Sequence, residues 1–456
     1  MLNWQRLLVR DRQTIFGAVF AAFISSHAAL VLLFGFAGSL GNAIFTGLFL
    51  SVTTAIIWFL TVRNDFAITA LDYLFVGLVA VVVCSVLLNG MTAEPKEYVL
   101  LLLALSAYPA CRFIRVDDLT RGRDGFDFVQ AVLVLIGTAA TIAALVGQWT
   151  GFRSKPIILG FDGAAIYFLQ SLSYLVFSVL VARQLTRFRA LLFFFLLVVP
   201  MAIFAASMVR FVFVALVGTL VVAGYLRFWQ RKNILIVVAA IVLGVAAGFA
   251  SRSAHVLRYS TYAVGGDQVD STRAPQQENQ IFRPQTDPTG ASTGNPATRS
   301  QTLAPSCSTD ANVNLQNSMA IRKVLLYDAA VMLPDAGLFG HGLDAFMRRS
   351  CLAGHQIHNS ILQAFVEFGW LGGILFAVLI VKSWWSILKV ARRDAASRFV
   401  FCCLTFVVLL CLVHGRFSRE AVVFAWIGTV AGMTQSTRVR SSVTQPAESY
   451  LSRPSR

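Results

Sequence analysis

The sequence predicts an all-α, polytopic integral membrane protein with about twelve transmembrane helices and one long external loop. Three observations carry that prediction. Hydrophobic residues make up 57% of the 456-residue chain and charged residues only 13%, where a soluble domain carries about a quarter charged residues. Mean hydropathy is +0.70. Apolar runs of about 20 residues, enough to cross roughly 30 Å of hydrocarbon, recur along the chain. Arginines and lysines fall mainly in the short segments between those runs, where membrane orientation places them. The net charge of +16 is explained by that distribution. No basic run with interleaved aromatics points to nucleic acid.

Taken in order, twelve runs are candidate spans: 14–37, 41–62, 70–88, 98–114, 126–149, 164–185, 190–208, 211–228, 233–250, 358–381, 398–413 and 421–433. Helix is the expected form, because an isolated span must satisfy its own backbone hydrogen bonds in lipid. Arg6, Arg10 and Arg12 precede the first run, which is too long for a cleavable signal core and reads as a retained span. One side of the membrane then collects the N-terminal arginines, Arg63, Arg112, Arg115, Arg121, Arg123, Arg183, Arg187, Arg189, Arg227, Arg231, Lys232, Lys389, Arg392, Arg393, Arg438 and Arg440. That side is expected to be cytoplasmic, with both termini on it. The chain divides into a first bundle of nine spans (1–250), an external loop (251–357), three last spans (358–436) and a cytoplasmic tail (437–456).

The loop changes character along its length. Residues 265–314 are rich in Ser, Thr, Gln, Asn, Pro and Gly and lack hydrophobic periodicity, which predicts a flexible first half. From Met319 the spacing of Ile321, Val324, Leu325 and the run Val331-Met332-Leu333 is near-helical and predicts a helical second half lying on the membrane surface. Pro334 and Gly337 end it, and Gly340-His341-Gly342 makes a turn. Five of the seven cysteines lie in or beside apolar spans and read as small packing residues. Cys307 and Cys351 share the external loop, and an oxidising compartment favours pairing them.

Chemistry concentrates where the loop enters the tenth span. Nothing resembles a Walker motif, a glycine-rich nucleotide cradle or a zinc spacing, so neither a metal nor a cofactor is expected. The external side offers guanidinium groups and imidazoles instead: Arg210 between two apolar runs, Arg322 at the start of the ordered half-loop, and His341, His355 and His358. His355 and His358 share a helix face if the tenth helix extends back to them. Guanidinium binds phosphate bidentately and never deprotonates, and neutral imidazole accepts a hydroxyl proton near pH 7. That combination fits transfer from a diphosphate-activated lipid. Each residue also has a structural reading. Arginines at span ends snorkel to the headgroups, which suffices for Arg153 or Arg416 taken alone. Gly369 and Gly372 fit close helix packing.

The segment HNSILQAFVEFGWLG resembles the signature of the O-antigen ligase and O-antigen polymerase family: His, then Asn, Ser or Gln, nine residues, Gly, two residues, and Gly or another small residue. His358, Asn359, Gly369 and Gly372 match it. Residues 322–346 resemble the family's loop pattern of Arg, an amphipathic helix, Gly-x-Gly and an aromatic. Arg210 falls where the family often has Ser-Arg, with Val209 in place of the Ser, and the 151–163 loop lacks the Asn-Pro-Asn of many members. The resemblance implies inverting, metal-independent glycosyl transfer at the periplasmic face of the bacterial inner membrane, from an undecaprenyl diphosphate-linked glycan. It implies His358, Arg210 and Arg322 as catalytic residues and Asn359 as a substrate-binding residue; Arg153 and Lys155 are read as diphosphate contacts on the loop that departs from the family pattern, and His355 and His341, outside the signature, as further substrate-binding candidates. The acceptor is lipid A core in a ligase or a second lipid-linked repeat unit in a polymerase. The long external loop favours the ligase. A polysaccharide or lipid transporter is the alternative of another class. A transporter should carry polar groups near mid-membrane, whereas here the spans have uncharged centres and the polar groups gather at one surface.

Overall fold

The computed structural model describes residues 4–37, 43–63, 67–148, 156–181, 187–229, 231–253, 318–352 and 354–443. The first half of the loop, Cys307, Arg153 and Lys155 lie outside them. The described residues are helical almost throughout, as the sequence predicts: α1 (Trp4–Ile24), α2 (Ser26–Ala37), α3 (Ala43–Thr61), α4 (Ala70–Asn89), α5 (Pro95–Cys111), α6 (Val116–Arg121), α7 (Arg123–Gly147), α8 (Ala165–Val181), α9 (Arg187–Ala206), α10 (Phe211–Tyr225) and α11 (Arg231–Ser251). The second part adds α12 (Ser318–Met332), α13 (Ala345–Arg349), α14 (Ser360–Ala391), α15 (Ala395–His414) and α16 (Ala421–Val443). A two-residue hairpin, Ile157–Ile158 against Phe161–Asp162, precedes α8.

Each of the twelve expected segments is helical over most of its described length. Six helices, α3, α4, α7, α11, α14 and α15, are long and apolar enough to cross a membrane. A seventh span arises if α1 and α2 count together, although they meet at 82° rather than continuing as one rod. The remaining apolar helices are shorter; α8 and α16 are largely enclosed by protein, whereas α9 and α10 keep exposed apolar faces. In α16 the side chains of Val423, Phe424, Trp426, Ile427 and Val430 are all fully buried. Trp426 sits at the centre of the bundle, edge-on to Phe20 at 5.2 Å and to Phe399 at 5.8 Å.

The two ends of α5 are roughly 25 Å apart at 1.5 Å per residue, and each holds buried charge. At one end the Arg112 Nε and Nη2 donate to Asp72 of α4 at 2.7 and 2.9 Å, and the Tyr108 hydroxyl donates to the same carboxylate at 2.8 Å. At the other end lies Glu97, beside the turn between α15 and α16.

The second half of the loop forms α12, as its periodicity predicts. Its apolar stripe makes a small separate core: Leu325, Ala329 and Met332 pack with Phe346, Ile357 and Val366. Asp328, buried on the same helix, accepts from the Ser350 hydroxyl at 2.7 Å and the Cys351 N–H at 2.9 Å. Cys351 is disulfide-bonded, while Cys84, Cys111, Cys402, Cys403 and Cys411 are free thiols.

Candidate active site at the mouth of α14

The motif glycine Gly369 does more than allow close packing. Its backbone (φ 77°, ψ −175°) breaks α14 into a short half, 360–368, and a long half. A break frees two carbonyls and two N–H groups that the helix would pair, 370 with 366 and 371 with 367. The loop turn satisfies all four. His341 N donates to Val366 O at 3.1 Å and Gly342 N to Glu367 O at 2.9 Å. Trp370 N donates to Gly337 O at 2.9 Å and Leu371 N to Leu338 O at 3.3 Å. Contact is so close that a Cβ on Gly340 would fall on the Glu367 carbonyl, and a Cβ on Gly369 on the Leu338 carbonyl. The Gly-x-Gly turn and the His-Asn-to-Gly segment are therefore two halves of one joint.

That joint presents His358 where the short half begins. The helix starts at Ser360 and does not extend back to His355 and His358, so the condition for a shared helix face is not met. Asn359 is the N-cap: its Oδ1 accepts from Ile361 N at 3.1 Å and Leu362 N at 3.0 Å. Its side-chain oxygen thus serves the helix. His358 has a left-handed backbone, φ 57°, a strained conformation for a residue with a Cβ. Its ring lies parallel to that of His414, the last residue of α15, with centroids 5.4 Å apart and planes within 7°.

Arg322 reaches the same helix end. Arg322 Nη1 donates to the carbonyl of Val413, next to His414, at 2.9 Å. Its guanidinium lies 3.8 Å from the ring centroid of Phe211, the residue after Arg210. Burial lowers the Arg322 pKa, yet a guanidinium remains charged. Arg210 is the exposed N-cap of α10. His358 and Arg322 thereby meet the end of α15 from distant parts of the chain, and Arg210 precedes the Phe211 ring on which Arg322 rests.

The other candidates fall elsewhere. His341 has both nitrogens engaged: Arg349 Nη1 donates to Nδ1 at 2.8 Å, which leaves Nε2 to donate to Met332 O at 3.3 Å. Burial, then the Arg349 charge, lowers its pKa. Met332 and Arg322 are ten residues apart on α12, about 15 Å, so His341 sits at the far end of that helix. His355 is exposed in the turn before the motif.

His414, Arg252 and Glu420 escaped the sequence reading, and Arg416 was read there as a snorkelling arginine. His414 ends an apolar helix and meets His358 across 56 positions, which no spacing rule encodes. Arg252 is buried, with Nη1 donating to the Ala206 carbonyl at 3.4 Å, near the end of α9 and the approach to Arg210. Arg416 is no snorkelling anchor. Its Nη2 bridges Asp344 at 2.8 Å and Glu97 at 2.9 Å, pinning the loop to the bundle, and Arg419 joins Glu97 at 2.7 Å. Glu420 accepts from the Ser360 hydroxyl at 2.5 Å, and burial pushes its carboxyl up to about 7. An Arg-Phe-Ser-Arg-Glu turn after an apolar run was the available signal.

No curated protein matches the chain. A family model described as O-antigen ligase matches residues 192–377. That segment contains Arg210, Arg322, the Gly340 turn and the His358-to-Gly372 motif, which are parts of the candidate site. Residues 192–377 are thus similar to the O-antigen ligase family, in a chain whose described residues include six helices long and apolar enough to cross a membrane.

Proposed function

We propose that the protein transfers a glycan from undecaprenyl diphosphate to lipid A core oligosaccharide at the periplasmic face of the inner membrane. The shorter apolar helices also cross the membrane in this reading, giving twelve spans with both termini in the cytoplasm. The observation that carries it is the meeting of His358 and Arg322 at the end of α15, with Arg210 before the Phe211 ring on which Arg322 rests. His358 accepts the proton of an acceptor hydroxyl, which must lie within hydrogen-bond reach of a ring nitrogen. The acceptor oxygen attacks the anomeric carbon opposite the diphosphate, so the configuration inverts. The bond to the diphosphate breaks and its electron pair leaves on undecaprenyl diphosphate. Arg210 and Arg322 hold that leaving group, whose growing charge the guanidiniums neutralise without a metal ion. Arg153, Lys155 and His355 remain proposed contacts of the donor or acceptor, and His341 serves the loop turn.

Deletion of the gene, followed by gel analysis of surface polysaccharide, tests the reading. The expected result is loss of long glycan from lipid A with lipid-linked polymer retained. Accumulation of single repeat units would make the protein a polymerase with the same site and a different acceptor. Purified protein that moves lipid-linked glycan across a bilayer, yet never transfers it to an acceptor, would make it a transporter.

A further inference from the structure

We propose that His414 is the positioning residue of His358, setting the plane of that imidazole so that a ring nitrogen, and not a ring face, meets the acceptor hydroxyl. The proposal rests on reading His358 as the base. His358 stands outside the helix, on a left-handed residue. The side-chain oxygen of its neighbour Asn359, the obvious candidate to orient it, is used in capping Ile361 and Leu362. The second torsion of a histidine side chain is broad and nearly two-fold, so the backbone alone leaves the ring plane loose. A ring from another helix, within 7° of parallel, restricts that freedom.

His414 is itself well anchored. It closes α15, and the carbonyl before it is held by Arg322. The residue after it, Gly415, lies so close to Ser360 and Glu420 that a Cβ there would collide with both. Ser360 and Glu420 are joined by their own hydrogen bond of 2.5 Å. The beginning of α14 and the end of α15 are thus clamped on either side of the stacked pair. Orientation of this kind acts on the rate step rather than on binding, because displacement of a reacting group by about 1 Å costs on the order of 10²-fold.

The test uses purified full-length protein with a polyprenyl diphosphate-linked oligosaccharide, alone and with lipid A core. His414→Phe keeps the planar ring and lacks the nitrogens. His414→Leu keeps bulk and lacks the plane. The expected result is a kcat for His414→Leu reduced on the order of 10- to 100-fold with donor KM nearly unchanged, and a His414→Phe enzyme within a few-fold of wild type. Full activity of His414→Leu would overturn the proposal. So would a His414→Phe enzyme as slow as His414→Leu, since the nitrogens would then be what matters. His358→Ala separates the two levels. If it transfers normally, the base assignment fails; if it is inactive while His414→Leu is normal, only the positioning role fails.

Discussion

The two ends of α5 hold buried charge for different purposes. At the Arg112 end, a guanidinium and a phenol converge on one carboxylate, Asp72, and the donors match the acceptors. At the Glu97 end the charges run outward in a chain, Glu97 to Arg416 to Asp344, which ties a loop to the bundle. Beyond that chain come groups of another kind. Arg322 rests on a carbonyl and an aromatic ring, and two imidazoles stack face to face. A closed ion cluster fixes helices. The proposed site instead holds a guanidinium on a carbonyl and a ring, beside two parallel imidazoles.

The comparison breaks most visibly if the closed end is opened. Arg112→Ala leaves Asp72 buried without its main partner, which should cost about 3–5 kcal/mol of stability. Thermal unfolding in detergent should shift down, while transfer per folded molecule stays at the wild-type level. A specific loss of turnover with unchanged unfolding would erase the distinction between the ends. Arg322→Ala should do the converse. Losing a charge on the leaving diphosphate costs about 10²–10³-fold in kcat, and Arg322→Lys should still be impaired because the fork geometry is lost. Normal turnover in both variants at equal expression would return Arg322 to a structural contact with Val413.

Two smaller effects sharpen the picture. Gly340→Ala meets both a positive φ of 72° and the Glu367 carbonyl, and should cost about 1–3 kcal/mol. Limited proteolysis should cut the loop faster in that variant, and an unchanged cleavage rate would show that the turn is not docked into the helix break. The smallest effect concerns Glu420. Its carboxyl titrates about 7 in the fold against 4.5 ordinarily. Between those values the unfolded chain has already lost its proton, so wild-type stability should fall as pH rises from about 4.5 to about 7 and level off above. Glu420→Gln should lack that slope. Parallel melting curves for the two proteins across this window would contradict the burial argument.

Much of this was legible in the sequence, and the boundary is physical. Hydrophobic runs and loop charge locate the long apolar helices, because each run must bury or immerse a continuous apolar surface, but not the short α6 and α13. The periodicity of Ile321, Val324 and Leu325 locates α12 for the same reason. The motif located His358 and Gly369, but not what Gly369 does. Its role depends on His341 and Gly342 donating, and Gly337 and Leu338 accepting, across the break, a pairing with no sequence period. His414 and Glu420 were invisible for the same reason, since each meets its partner only after α14, α15 and α16 pack. The 82° bend after Ile24 had no proline to announce it.

The central claim is that the α14 mouth is the chemical end and that His358 is its base. The most direct measurement is glycan transfer by purified His358→Ala and His341→Ala, with a lipid diphosphate-linked donor and lipid A core. The account predicts that His358→Ala loses about 10²–10⁴-fold with insertion and expression intact, and that His341→Ala, whose nitrogens are taken by Arg349 and Met332, loses far less. Normal transfer by His358→Ala together with an inactive His341→Ala would contradict it.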